Sequence, residues 1–262
     1  MTVKPGVFSW ILILFSLPLI GLIVLPLSKM VLTPTWAALW ESLNDPVVLE
    51  AIGRSMTTSL AAALICFVFG TPLAYLMARR DFPGKSLVEA IIDLPIMIPH
   101  PVIGIAILSL AGRNHPLGRM LADMGIQVMG TLTGIIVVLT FVGMPFYINT
   151  AKAGFEAIPK RLENVSRSLG APMGATFFRV TFPLAWQSMV LGMIMCTARA
   201  ISEFGAVVIV AYHPMTAPVL IYERFTAYGL RYSQPVSVWL IGVSLILFVA
   251  MRLVSRPHRE MS

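Results

Sequence analysis

The sequence predicts an all-α integral membrane protein with six transmembrane helices. Three observations carry this. Of 262 residues, 57% are hydrophobic and only 12% charged, where a soluble domain carries about 25% charged residues; the mean hydropathy is +0.85. Apolar runs recur at about 8–32, 56–78, 91–111, 129–150, 183–211 and 236–253, each near the roughly 20 residues a helix needs to cross hydrocarbon. Finally, Lys and Arg are sorted unequally among the loops.

The first run outlasts the roughly 7 to 15 apolar residues of a secretory signal, and no A-x-A site follows it, so it reads as a retained span. The second ends at the basic pair Arg79 and Arg80. Pro95, Pro99 and Pro101, with His100 among them, crowd the start of the third. Each proline removes a helix hydrogen bond, and broken helices at membrane depth persist where they are buried in protein or line an aqueous cavity. Pro99 and His100 therefore read as a gate or pathway wall, with a plain kink as the alternative. His100 is expected as a hydrogen-bonded wall residue rather than a proton donor. The fifth run holds Arg199 and Glu203, the one pair of opposite charges deep in an apolar span, and i, i+4 spacing puts both on one helix face. A charge at mid-helix costs about 2.5 to 3.5 kcal/mol on insertion scales, so the pair faces a partner or a water-filled path.

The N-terminus, the second and fourth loops and the C-terminus hold twelve Lys and Arg, counting Lys4, Arg256 and Arg259; the opposite side holds six, counting Arg113. The positive-inside rule then makes both termini cytoplasmic. With acidic residues included, Glu260 among them, the two sides carry net +6 and +1, and the Arg199/Glu203 pair sums to zero, which accounts for the total of +7.

Several function classes are excluded. Cys66 and Cys196 lie in apolar runs, and the four histidines (His100, His115, His213, His258) are scattered singly, so no disulfide framework and no metal site is expected. The basic residues are dispersed between apolar segments instead of forming the stripe that nucleic acid requires. Gly84-Lys85-Ser86 looks like the end of a P-loop, but Arg79 stands where its first glycine belongs and a membrane span precedes it. No ATP and no other cofactor is expected on this chain. Gly242-Val243-Ser244 similarly lacks an oxyanion apparatus. The longest cytoplasmic connection, about 151–182, is too short for a catalytic domain, so residues 1–262 read as one transmembrane domain driven from elsewhere or by an ion gradient.

That connection is itself distinctive. Pro159 breaks the helical pattern; Lys160 to Leu169 then read as a short helix ended by Gly170, which tolerates the left-handed conformation. A second short helix follows, with Pro172 in its first turn. Phe177, Phe178 and Val180 give it an apolar edge before Pro183 opens the fifth span. Aromatics on the soluble side of a membrane need a partner to cover them, so the pair of helices reads as a docking element.

Here the residues resemble the "EAA" loop of ABC importer permeases, E-A-A-x-x-x-G, nine residues, then I-x-L-P. Asn164-Val165-Ser166 stands at E-A-A with Glu163 one place early, Gly170 falls at the required spacing, and Val180-Thr181-Phe182-Pro183 stands for I-x-L-P. RRDFPGKSLVEAIIDLPIMIPHPVIGIAIL (79–108) and ARAISEFGAVVIVAY (198–212) are similar to segments of molybdate, tungstate and sulfate permeases, and MTAPVLIYERF (215–225) to the outer loop of the archaeal tungstate/molybdate type. The resemblance implies a type I ABC importer permease in the cell membrane, which catalyses no bond breaking itself. It also implies a homodimer with the path between its copies, two ABC ATPase subunits below and an extracytoplasmic oxyanion-binding protein outside. Glu163, Asn164, Ser166, Gly170, Ala171, Pro172, Phe177, Phe178 and Arg179 would meet the ATPase. Arg199 and Glu203 are then either an internal ion pair locking the fifth span to a neighbour or direct contacts of the passing anion, Glu203 preventing Arg199 from holding it too long. A sulfate permease of the same family is the near alternative. An ion-gradient secondary transporter is the distant one, and it would call for inverted repeats with ionisable residues in both halves, whereas this pair occurs once.

Overall fold

The computed structural model describes residues 7–112 and 114–254; of the charges used above, Lys4, Arg113, Arg256, Arg259 and Glu260, with His258, lie outside them. Its helices in chain order are α1 (Val7–Leu32), α2 (Trp36–Leu43), α3 (Pro46–Arg79), α4 (Lys85–Met97), α5 (His100–Ala111), α6 (Pro116–Asp123) and α7 (Leu132–Glu156). There follow α8 (Lys160–Ser168), α9 (Met173–Thr176), a π-helical turn (Phe177–Thr181), α10 (Phe182–Ile201), α11 (Gly205–Val210), α12 (Ala217–Tyr228) and α13 (Leu230–Val254). Among the described residues there is no strand. Five helices are long and apolar enough to cross a membrane, and the bent pair α4/α5 brings the number to six if it is taken as one span.

The core is the triplet α3, α7 and α10. Helix α3 starts at Pro46, well before the expected 56, because Asp45 accepts from the Val47 N–H and Pro46 fills the first turn. Its buried face is mostly small: Ala51, Ser55, Ser59, Ala62, Ala63, Gly70, Ala74 and Ala78. Small residues let membrane helices approach closely. The crossing of α7 with α10 shows how closely: a Cβ on Gly143 would stand 2.5 Å from Cys196 Sγ, and one on Gly192 3.1 Å from the Tyr147 ring. Tyr147, wholly buried, pairs its hydroxyl with Thr71 Oγ1 at 2.5 Å, which satisfies two polar groups that hydrocarbon would leave bare.

Two expected spans are not straight helices. The third folds back on itself by 113° between α4 and α5. Ile98 and Pro99 are extended (ψ 135° and 129°), Ile98 because it precedes a proline. Helix α4 lies along α7, held by Lys152 Nζ to Glu89 Oε1 (2.5 Å) and Asn149 Nδ2 to Asp93 Oδ1 (2.6 Å). Beyond the bend, α5 packs on α11, so closely at Gly104 that a Cβ would meet the Ala206 carbonyl at 2.8 Å. The fifth span ends as a helix at Ile201, short of 211, and α11 is a separate segment after a break at 202–204.

At the far side, Trp239 Nε1 donates to the Leu39 carbonyl at 3.1 Å and Arg224 Nη2 to Asp45 Oδ2 at 2.5 Å, tying α2, α3, α12 and α13 together. Helix α1 differs from the rest: across 14–32 none of its residues is buried.

Candidate functional site

The 151–182 connection folds as the sequence predicts up to Gly170, whose φ of +88° ends α8. The Gly170 and Ala171 N–H groups donate to the Arg167 and Ser166 carbonyls at 3.0 and 3.2 Å, closing the helix end. Ser166 Oγ lies 3.0 Å from Thr176 Oγ1, which sets α8 against α9. The second short helix does not stop before the fifth span. It passes through the π-helical turn straight into α10, where Pro183, lacking an N–H, leaves a carbonyl of that turn without its helical donor.

Asn164, Gly170, Pro172, Phe178 and Arg179 are exposed, and Ala171 is half-buried. Glu163 and Phe177, expected on the docking face, instead turn inward. The Glu163 carboxylate accepts from Arg79 Nε at 2.8 Å and Thr181 Oγ1 at 3.0 Å, with its side chain 12% exposed. Phe177 enters a ring cluster, with centroids 4.9 Å from Tyr75 and 5.9 Å from Phe182. The reason is the π-helical turn, whose wider spacing points Phe177 at the end of α3 while leaving Phe178 67% exposed. The outward apolar surface is supplied by Leu162, Val165 and Leu169, at i, i+3 and i+7 along α8, beside Pro159 and Val180 in one groove. On the neighbouring connection, the hydrogen bond and charge of Lys85 hold the Asp81 carboxyl below its ordinary range.

The second constellation lies where the two broken helices meet. His100 follows the α4/α5 bend; Arg199 closes α10; Glu203 sits in the break before α11. Arg199 Nη2 donates to Glu203 Oε2 at 2.8 Å and lies 2.7 Å from His100 Nε2, while His100 Nδ1 is 3.0 Å from the same carboxylate oxygen. Arg199 Nη2 is within hydrogen-bond reach of both ring nitrogens, so the neutral imidazole accepts from it in either tautomer. The other carboxylate oxygen, Oε1, accepts from the Ala206 N–H at 2.9 Å. Glu203 is thus fully buried and fully bonded, while Arg199 and His100 are 19% and 37% exposed in their side chains. They face an open recess of about 500 Å³, together with Met97, Pro99, Ser202 and Gly205. All four sequence-selected residues, Pro99, His100, Arg199 and Glu203, are therefore adjacent, although Glu203 reaches Arg199 from beyond the helix end rather than along one helix face. Among the described residues no cluster of three or more His, Cys, Asp or Glu is suited to hold a metal.

A small-residue bundle with interrupted spans and a two-helix loop at its edge is the architecture of ABC importer membrane subunits. Solved structures share it: a bacterial ABC transporter that imports the acidic polysaccharide alginate (TM-score 0.74, 16% identity, 96% of this chain and 97% of that one) and the inward-facing MetNI methionine ABC transporter (TM-score 0.65, 17% identity, 80% and 95%). The chain belongs to the family of binding-protein-dependent transport system inner membrane components, which it matches over residues 70–259. It is similar to the molybdate/tungstate transport system permease protein WtpB of Pyrococcus abyssi, 47% identical over 81% of this chain and 80% of the relative. To WtpB of Pyrococcus furiosus it is 43% identical over 89% and 90%. The sulfate transport system permease protein CysT of Synechocystis is more distant, at 31% identity over 96% and 90%.

Sequence reasoning missed the stripe of Leu162, Val165 and Leu169, although its helical spacing was there to be read. It also missed Arg79, which it counted only as a charge setting orientation.

Proposed function

We propose that this chain is the permease subunit of an ATP-driven importer of molybdate and tungstate. It works as a homodimer with both termini cytoplasmic, two ATPase subunits against the α8 and α9 loop, and an oxyanion-binding protein outside. The observation that carries the substrate is the 42 to 47% identity to four archaeal permeases named for molybdate/tungstate transport. Partner subunits hydrolyse ATP; their closure moves the loops, and the path alternates between outward and inward openings. The anion passes the recess of Pro99, His100 and Arg199. A guanidinium is suited to an oxyanion because its planar donors match two oxygens at once. Glu203, in contact with that guanidinium, offers a competing carboxylate, so the dianion is attracted and then released instead of retained.

The test is uptake by proteoliposomes holding this chain, its ATPase and its binding protein, with molybdenum and tungsten counted inside by mass spectrometry. ATP-dependent accumulation of either metal, competed weakly by sulfate, is the expected result. Accumulation by this chain alone on an ion gradient overturns the reading, and preferential competition by sulfate moves the assignment to a sulfate permease. Arg199→Gln, which keeps an amide donor beside the buried Glu203 carboxylate, should keep the ATPase bound and hydrolysing while losing uptake.

A further inference from the structure

Glu163 joins the loop to α3 and to the turn that leads into α10, and through Arg79 to the exit of α7. Its carboxylate takes Arg79 Nε (2.8 Å) and the Tyr75 hydroxyl (3.5 Å) from α3, and Thr181 Oγ1 (3.0 Å) from the π-helical turn that leads into α10. Arg79 in turn donates through Nη2 to the Ile158 carbonyl at 3.1 Å, which closes the exit of α7. Both side chains are nearly removed from water, Arg79 at 7% and Glu163 at 12% exposed. The rings of Tyr75, Phe155, Phe177 and Phe182 wall the same place.

We infer that Arg79 and Glu163 are the positioning pair through which displacement of α8 is passed to α3, α7 and α10, so that they set how much anion moves per ATP without touching either nucleotide or anion. A largely buried ion pair with its remaining donors and acceptors used has a defined geometry, and cannot slide as a surface pair does. The outer face of α8, carrying Leu162, Val165 and Leu169, is exposed among the described residues, so a push there is passed to the spans through this carboxylate as well as through Ser166 and Thr176. Residues that both ends must bias are what physical coupling requires. The inference rests on the loop being the ATPase contact.

The experiment uses the full importer in proteoliposomes and compares wild type with Glu163→Gln, Arg79→Gln, the double variant, and the milder Arg79→Lys and Thr181→Val. Three quantities are read: ATPase retained on purification, stimulation of ATP hydrolysis by the loaded binding protein, and oxyanion transported per ATP. Retention should persist in every variant, while stimulation is lost and transport per ATP falls by about tenfold in each neutral single variant, the range of ordinary coupling energies. The double variant should lose no more than either single one, because members of one interacting pair are not additive. Arg79→Lys and Thr181→Val should give intermediate losses. The inference is overturned if transport per ATP is unchanged in the neutral variants, if the two losses multiply, or if retention, hydrolysis and transport fall in parallel in the mild variants, which marks a purely structural role. Failure of the wild-type chain to retain an ATPase would instead overturn the reading of the loop.

Discussion

Glu203 does two things at once, and substitution separates them. Glu203→Gln keeps an oxygen for the Ala206 N–H but removes the charge opposite Arg199; it should fold with a loss of about 1 kcal/mol and slow anion release, so that uptake falls more than ATP hydrolysis. Glu203→Ala loses the cap as well, leaving the buried Ala206 N–H without its acceptor, which costs about 1 to 3 kcal/mol more; the sign is a clear drop in thermal midpoint in detergent. Equal midpoints for the two variants would contradict this division of roles. Arg199, Glu203, His100 and Pro99 were legible because an ionisable group or a proline run inside an apolar stretch is conspicuous in any sequence. Arg79 was not, since a basic residue just after a span also serves topology, and only folding brings Glu163 to within 2.8 Å of it.

The elements divide in the same way. Gly170→Ala forces a Cβ into φ +88° with nothing in its path, so its cost is conformational, about 1 to 2 kcal/mol. It should loosen the α8/α9 turn, and reduced copurification of the ATPase is the measurement. Gly143→Ala is the contrasting case: its Cβ would crowd Cys196 Sγ, overpacking costs about 1 to 3 kcal/mol, and adding Cys196→Ala should restore most of the midpoint. No recovery in the double variant would place the strain elsewhere. The straight spans could be read from apolar length alone. The start of α3 could not, because Glu50 and Arg54, an i, i+4 pair on its outer turn, lower the hydropathy there. Nor could the break at 202–204, where no proline interrupts the run and the helix ends because the Glu203 carboxylate caps the segment that follows.

At the scale of the molecule, the orientation rests on an arithmetic of charges, and chemistry can check it. Cys66 and Cys196 are both buried, so a cysteine introduced on the surface is the reactive one. A membrane-impermeant maleimide should label Thr226→Cys on intact cells and Ser168→Cys only after the membrane is opened; the reverse pattern would invert the topology. The unburied α1 says that the isolated chain is an incomplete object in which a whole apolar helix awaits lipid or a second copy. The π-helical turn at 177–181 carries a different consequence, for descent rather than for motion. A π turn holds one residue more than an α turn, so deleting one residue there would relax it to ordinary helix and leave the phase of α10 nearly unchanged, whereas the same deletion inside α10 would rotate Arg199 by about 100° away from His100. The segment is therefore the place along this helix where a change of length can be absorbed. A lineage of such chains should differ by one residue there before it differs in the length of α10.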